Sequence, residues 1–144
     1  MRGQFDNGYV IAKLAGNNSE AVGAELEHDY GLVYVYDKAT GTCKLAHDDT
    51  VGSLFISTSS TKKVGDPVTL YSIKTLNRSF FSKVTETCAR GTDLYLDDQA
   101  TEAAATGKLK VTQGTATNVL FVADDVVSVA DTGVVPVISQ EHFA

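Results

Sequence analysis

Tryptophan is missing, and only two cysteines and two prolines occur in 144 residues. Cys43 and Cys88 lie far apart, which excludes a zinc ribbon or a Cys-x-x-Cys redox centre. In a reducing compartment both read as buried or part-buried thiols; a disulfide would require their strands to be neighbours. Basic residues are in the minority, 12 Lys and Arg against 18 Asp and Glu, for a formal charge of −6. Lys62-Lys63 is the one adjacent basic pair, and Lys108 and Lys110 alternate further on. Neither makes the basic stripe that phosphate neutralisation demands, so no nucleic-acid partner is expected. No apolar run approaches a membrane span. Tyr9-Val10-Ile11-Ala12, behind a polar start, is too short for a signal core. Synthesis in a cytoplasm and no membrane partner are the expectation.

What is present is a series of short β-type runs separated by turn residues. Leu32-Val33-Tyr34-Val35-Tyr36-Asp37 and Thr42-Cys43-Lys44-Leu45-Ala46 flank Lys38-Ala39-Thr40-Gly41, where glycine supplies the left-handed residue of a hairpin loop. Further runs span 51–58, 64–73, 80–87, 93–97, 108–113, 118–123, 126–130 and 134–139. This spacing predicts a mainly β fold, a compact β-barrel or β-sandwich with little helix. Pro67 falls at a strand start, and Pro136 predicts that the last strand is an edge or begins after it. Residues 98–105 read as two helical turns, with Asp98 as N-cap and Gly107 beyond the end, or equally as a surface loop. Ser19 to His28 reads as either strand or helix. Val64-Gly65-Asp66-Pro67-Val68-Thr69-Leu70-Tyr71 and Arg90-Gly91-Thr92-Asp93-Leu94-Tyr95-Leu96 both place a glycine before an alternating Leu/Tyr strand. Two similar turn-and-strand units account for that echo, and no repeat is read from it.

No catalytic constellation emerges: there is no Gly-x-Ser-x-Gly turn, phosphate loop or dinucleotide fingerprint, so an enzyme is not expected. The acidic doublets Asp48-Asp49, Asp97-Asp98 and Asp124-Asp125 carry the right atoms for Ca²⁺ but not the alternating spacing of a calcium loop. At strand ends they read as turn residues. His28, His47 and His142 lack paired ligand spacing. No metal or other cofactor is expected.

The stretch from Gly31 to Ser139 resembles the decoration (cement) proteins of tailed-phage capsids. The resemblance is carried by Val64-Gly65-Asp66-Pro67-Val68-Thr69-Leu70 and Gly91-Thr92-Asp93-Leu94-Tyr95-Leu96-Asp97 as strand openings. An Ala/Thr/Gly-rich connection (Ala100 to Gly107), Lys108-Leu109-Lys110-Val111-Thr112 and the closing Gly133-Val134-Val135-Pro136-Val137-Ile138 complete it. It implies a structural protein of the virion, displayed on the capsid exterior and stabilising the mature shell. Its partners would be the major capsid protein and other copies of itself around a symmetry axis.

The first eighteen residues stand apart from a single β domain over 19–144. Phe5, Tyr9, Ile11 and Leu14 are scattered among polar residues and glycine. They read either as a first strand or as an extended N-terminal arm that orders on a partner, in which case these four form the partner interface. Two other functions fit the composition. One is a carbohydrate-binding or adhesive β-domain using Tyr34, Tyr36, Tyr71 and Tyr95; the other is a different virion component, such as a tail-tube subunit.

Overall fold

The computed structural model describes residues 9–50, 53–74 and 79–127, and the backbone of 133–139. Phe5, Val51, Asn77, Arg78, most of the 126–130 run and His142 lie outside these. The regular secondary structure is nearly all strand; among the described residues, one 3₁₀ turn, Glu102–Ala104, is the only helix. Of the two readings of residues 98–105, two helical turns or a surface loop, the structure has the loop, with this one short turn in it. Its N-cap is Thr101, without a side-chain cap, and not Asp98.

The first half contains β1 (Tyr9–Leu14), β2 (Glu25–His28), β3 (Val33–Asp37), β4 (Thr42–Leu45), β5 (Ser53–Ser57), β6 (Thr61–Lys63) and β7 (Pro67–Ser72). Five of these close a barrel in the order β1-β4-β3-β5-β7, and β2 and β6 form a separate two-stranded ribbon. The β3–β4 hairpin forms as its sequence predicts, with Gly41 at φ 71° in the turn. β1 pairs antiparallel with β7 over Tyr9 to Lys13 and parallel with β4 at Lys13 and Leu14. The arm expected over residues 1–18 is therefore corrected for its described part: from Tyr9 the chain is an integral barrel strand. Its alternation explains why. Ala12 and Leu14 are buried inside the barrel, while Tyr9, Ile11 and Lys13 face outward.

The second half contains β8 (Phe80–Val84), β9 (Asp93–Leu96), β10 (Leu109–Lys110), β11 (Phe121–Ala123) and β12 (Gly133–Ser139). They curl into a second ring in the order β10-β8-β12-β11-β9, closed by the single parallel pair Leu109↔Val84. β12 runs through Pro136 with neighbours on both sides, so it is neither an edge strand nor begins after the proline. The ladder tolerates the missing N–H because pairing with β11 covers only Val137 to Ser139. At Pro136 only β8 lies alongside.

The two rings have the same topology and the same register. Leu14↔Cys43 in the first corresponds to Val84↔Leu109 in the second, and Tyr36↔Cys43 to Leu96↔Leu109. Likewise Tyr34↔Phe55 matches Leu94↔Phe121, Phe55↔Ser72 matches Phe121↔Ser139, and Ala12↔Val68 matches Ser82↔Val135. Among the described residues the β2/β6 ribbon has one counterpart in the second half, the bridge Cys88↔Val127, at the place of His28↔Thr61. One alignment satisfies all of these. It superposes Gly31 on Gly91, Asp37 on Asp97, Ala39-Thr40-Gly41 on Ala105-Thr106-Gly107, and Leu54-Phe55 on Leu120-Phe121. The chain is thus an internal repeat of one barrel. The echo between residues 64–71 and 90–96 joins β7 to β9, which are not equivalent strands.

The barrels share apolar packing. Ala12, Leu14, Tyr34, Cys43, Val68 and Leu70 fill the first. A second cluster runs from the outer wall of the first barrel (Val33, Ala46, Ile56, Ile73) into the interior of the second (Val84, Leu94, Leu96, Leu109, Phe121). Burying each such side chain contributes roughly 1.5–3 kcal/mol, so the junction is a core in its own right. Backbone bonds cross it as well. Val33 N–H donates to Gly107 O (2.7 Å), and Lys83 N–H and Ser82 Oγ donate to Gly31 O (3.3 and 2.8 Å). In the first barrel Lys13 N–H donates instead to Gly41 O, inside its own β1/β4 seam. Residues 31–33 thus lie across the mouth of the β8/β10 seam and take up bonds that the second ring does not close for itself. The equivalent of Val33 on the second barrel is Asp93, which is exposed.

Candidate functional site

β1 and β7 position the outermost residues of the first barrel. Tyr9 (50% exposed) and Ile11 (63%) project from the wall, and Tyr9 packs on Tyr71, its cross-strand partner, at 5.8 Å between ring centroids. Tyr71 in turn meets Phe80 edge-on at 4.9 Å, so an aromatic row leads from the first barrel to the start of β8. Of the four residues expected at a partner interface, Tyr9 and Ile11 are on the surface and adjacent, and Phe5 lies outside the described residues. Leu14 is 1% exposed inside the barrel and is corrected to a core residue. The one-residue alternation of a strand separates Leu14 from Ile11, which sit on opposite faces.

The tyrosines weighed for a glycan site scatter. Tyr34 is buried in the first barrel, where its hydroxyl pairs with His28 Nδ1 at 3.0 Å and burial holds its pKa above the ordinary tyrosine value. Burial also lowers the His28 pKa, against the opposing pull of Glu20. Tyr36 packs edge-on against Phe55, Tyr71 belongs to the aromatic row, and Tyr95 lies on the other barrel. They make no common site.

The acidic doublets act as turn and bracing residues. Asp48 accepts from Thr50 N–H and Oγ1, and Asp49 accepts from the backbone N–H groups of Thr117 (2.9 Å) and Asn118 (2.7 Å), tying the two barrels together. Asp97 accepts from Thr106 Oγ1, and Asp98 pairs with Lys110. Burial opposes ionisation of Asp98, yet Lys110 and the Thr115 N–H outweigh it and hold its pKa below the usual carboxylate range. Asp124 faces Arg90 at 3.6 Å, and Asp125 accepts its neighbour's N–H. Among the described residues, no group of three or more His, Cys, Asp or Glu side chains converges as metal ligands. Cys43 and Cys88 are free thiols, the first buried, the second at the ribbon bridge.

Residues that the sequence reading passed over line a crevice between the barrels: Tyr30, Ser57, Thr58, Ser79, Phe80 and Phe81. Phe81 is 57% exposed, and its position on β8 is the equivalent of Ile11 on β1. The signal was the adjacent pair Phe80-Phe81, since two consecutive strand residues point to opposite faces and one of them had to face outward. No helix among the described residues is long and apolar enough to cross a membrane. No protein-family model matches the chain, and no curated protein matches it.

Proposed function

We propose that this chain is a non-enzymatic structural protein that binds the exterior of a tailed-phage capsid and stabilises the mature shell. The observation that carries the reading is the repeated barrel, which presents an exposed apolar side chain at the same outward position twice, Ile11 and Phe81. A partner that is itself repetitive, such as a lattice of major capsid protein, engages both. The second contact is then intramolecular, and linked contacts of this kind raise avidity by about 10²–10⁴-fold. A ligand that binds only the assembled shell stabilises it by mass action at every occupied site. The resemblance of residues 31–139 to decoration proteins supplies the identity of the lattice, and with it location on the virion exterior.

The test is occupancy on purified capsids of the same phage that lack the protein. Wild-type protein should saturate a fixed number of exterior sites and raise the temperature of capsid disruption. Ile11→Ser and Phe81→Ser should each weaken binding at least tenfold, and the pair should abolish it, with melting of the free protein unchanged. Absence of wild-type binding to capsids, or binding to isolated tail tubes instead, would refute the proposal.

A further inference from the structure

We infer that the crevice between the two barrels is a binding site for a single neutral pyranose unit, a further role that shares Phe81 with the shell-binding surface. Its cavity of about 290 Å³ sits at the lower end of the range for small-molecule sites. It is open to one side and built by both halves of the chain. Tyr30 comes from the β2–β3 loop, Ser57 and Thr58 from the end of β5, and Ser79, Phe80 and Phe81 from the start of β8. Tyr30 is fixed in place. Its N–H donates to Asp29 Oδ1 (2.9 Å), and Lys83 Nζ lies 5.2 Å from its ring centroid. Lys83 also pairs with Asp29 Oδ2 at 2.9 Å, so this cation beside the crevice is already neutralised. Phe81 is held on a strand whose backbone is clamped to Gly31 through its neighbours.

Two part-exposed aromatic rings with two exposed hydroxyl side chains and, among the described residues, no uncompensated charge point to the ligand class. The rings suit the C–H face of a sugar, and the exposed hydroxyls of Thr58 and Ser79 suit its ring hydroxyls. Ser57, 1% exposed, accepts from Leu32 N–H at 3.1 Å and forms the floor of the crevice. Among the described residues an anionic ligand finds no free cation in this lining, and a wholly apolar one leaves the hydroxyls unmatched. The site exists once per chain, because on the second barrel Arg90 stands where Tyr30 stands on the first, and Ala123-Asp124 where Ser57-Thr58 stand.

Saturation-transfer NMR on the purified full chain, without capsids, tests this with the methyl glycosides of glucose, galactose, mannose and N-acetylglucosamine at millimolar concentration. At least one should receive transfer at its ring C–H protons. Tyr30→Ala should weaken binding by about tenfold or more, and Ser79→Trp, which fills the crevice from its exposed rim, should abolish it. Both variants should melt as the wild type does. Transfer to none of the four glycosides, or transfer undiminished in both variants, would overturn the inference. Either result leaves the capsid experiment unaffected.

Discussion

Two pairs of equivalent glycines allow the docking of one barrel on the other to be measured by subtraction. Gly31 and Gly91 share one position of the repeat, with φ of 82° and 87°, and Gly41 and Gly107 share another, with φ of 71° and 68°. A methyl group at any of the four meets the same left-handed backbone penalty, about 1–2 kcal/mol. Their surroundings differ. A Cβ on Gly31 would lie 2.9 Å from Phe81 O and 3.0 Å from Ser82 Cα; one on Gly107 would lie 2.8 Å from Leu45 Cδ2 and 2.9 Å from Val33 O. Gly41 and Gly91 have nothing within 4 Å. Gly31→Ala and Gly107→Ala should therefore add an overpacking cost of roughly 1–3 kcal/mol that Gly91→Ala and Gly41→Ala lack. In a chain of this size that excess lowers Tm by about 3–12 °C, at ~3–4 °C per kcal/mol. Urea unfolding of the four single variants reads the differences directly. The junction variants should also combine less than additively, since both perturb one interface. Equal losses within each pair would refute the docking geometry, because only the junction distinguishes the partners.

Three further outcomes are expected. Leu14→Ala should cost about 2–5 kcal/mol as a cavity in the first barrel, whereas Ile11→Ala should stay within about 0.5 kcal/mol; comparable losses would restore the arm reading of this segment. Glu86 accepts from the N–H groups of Thr112 and Val111 and from Thr112 Oγ1, with the Thr112 N–H foremost in lowering its pKa, against a smaller opposing effect of burial. A carboxylate lowered in the folded state stabilises above its unfolded value, about 4.3, and that stability is lost as pH falls through the folded value. Glu86→Gln should thus melt lower at pH 7 and fall less steeply below about pH 4; an unchanged acid slope would sink this account. Burial pushes the Cys43 thiol up to about 12 and raises Cys88 above its ordinary value. Iodoacetamide at neutral pH should label neither rapidly until the protein unfolds, and recovery of a Cys43–Cys88 linked peptide would contradict this.

The strands were legible where one local rule governed them. The β3–β4 hairpin follows from alternation plus Gly41, and β7 begins at Pro67 as a residue without a donor should. The class, mainly β with little helix, followed from the spacing of such runs, which left barrel and sandwich open. The repeat was not legible, because its equivalent strands share few identities and sit behind loops of unequal length. Three residues separate Asp37 from Gly41, but nine separate Asp97 from Gly107. Comparing like-looking strands matched β7 with β9, since Gly-x-x-Leu-Tyr patterns reflect turns and pleats more than position in a barrel. The mixed character of residues 9–14 hid a barrel strand for a similar reason. Half of its side chains face out, and the small Ala12 carries little apolar signal even though it is fully buried. The crevice was invisible because its lining comes from three separated segments that meet only when the barrels dock.

Asp93 at the place of Val33 decides how far this architecture extends. Barrel-on-barrel contact is head-to-tail, and a head-to-tail contact repeats without limit unless something stops it, which is how filaments grow. A third barrel arriving on the second would have to desolvate the Asp93 carboxylate where the first junction buries a valine, at a cost of several kcal/mol without a partner charge. Arg90, where the first barrel has Tyr30, is paired with Asp124 at 3.6 Å, so this face also carries an ion pair that docking would have to desolvate. Docking of a third barrel by the same contact is therefore disfavoured, and copies that self-associate would have to meet through a different surface.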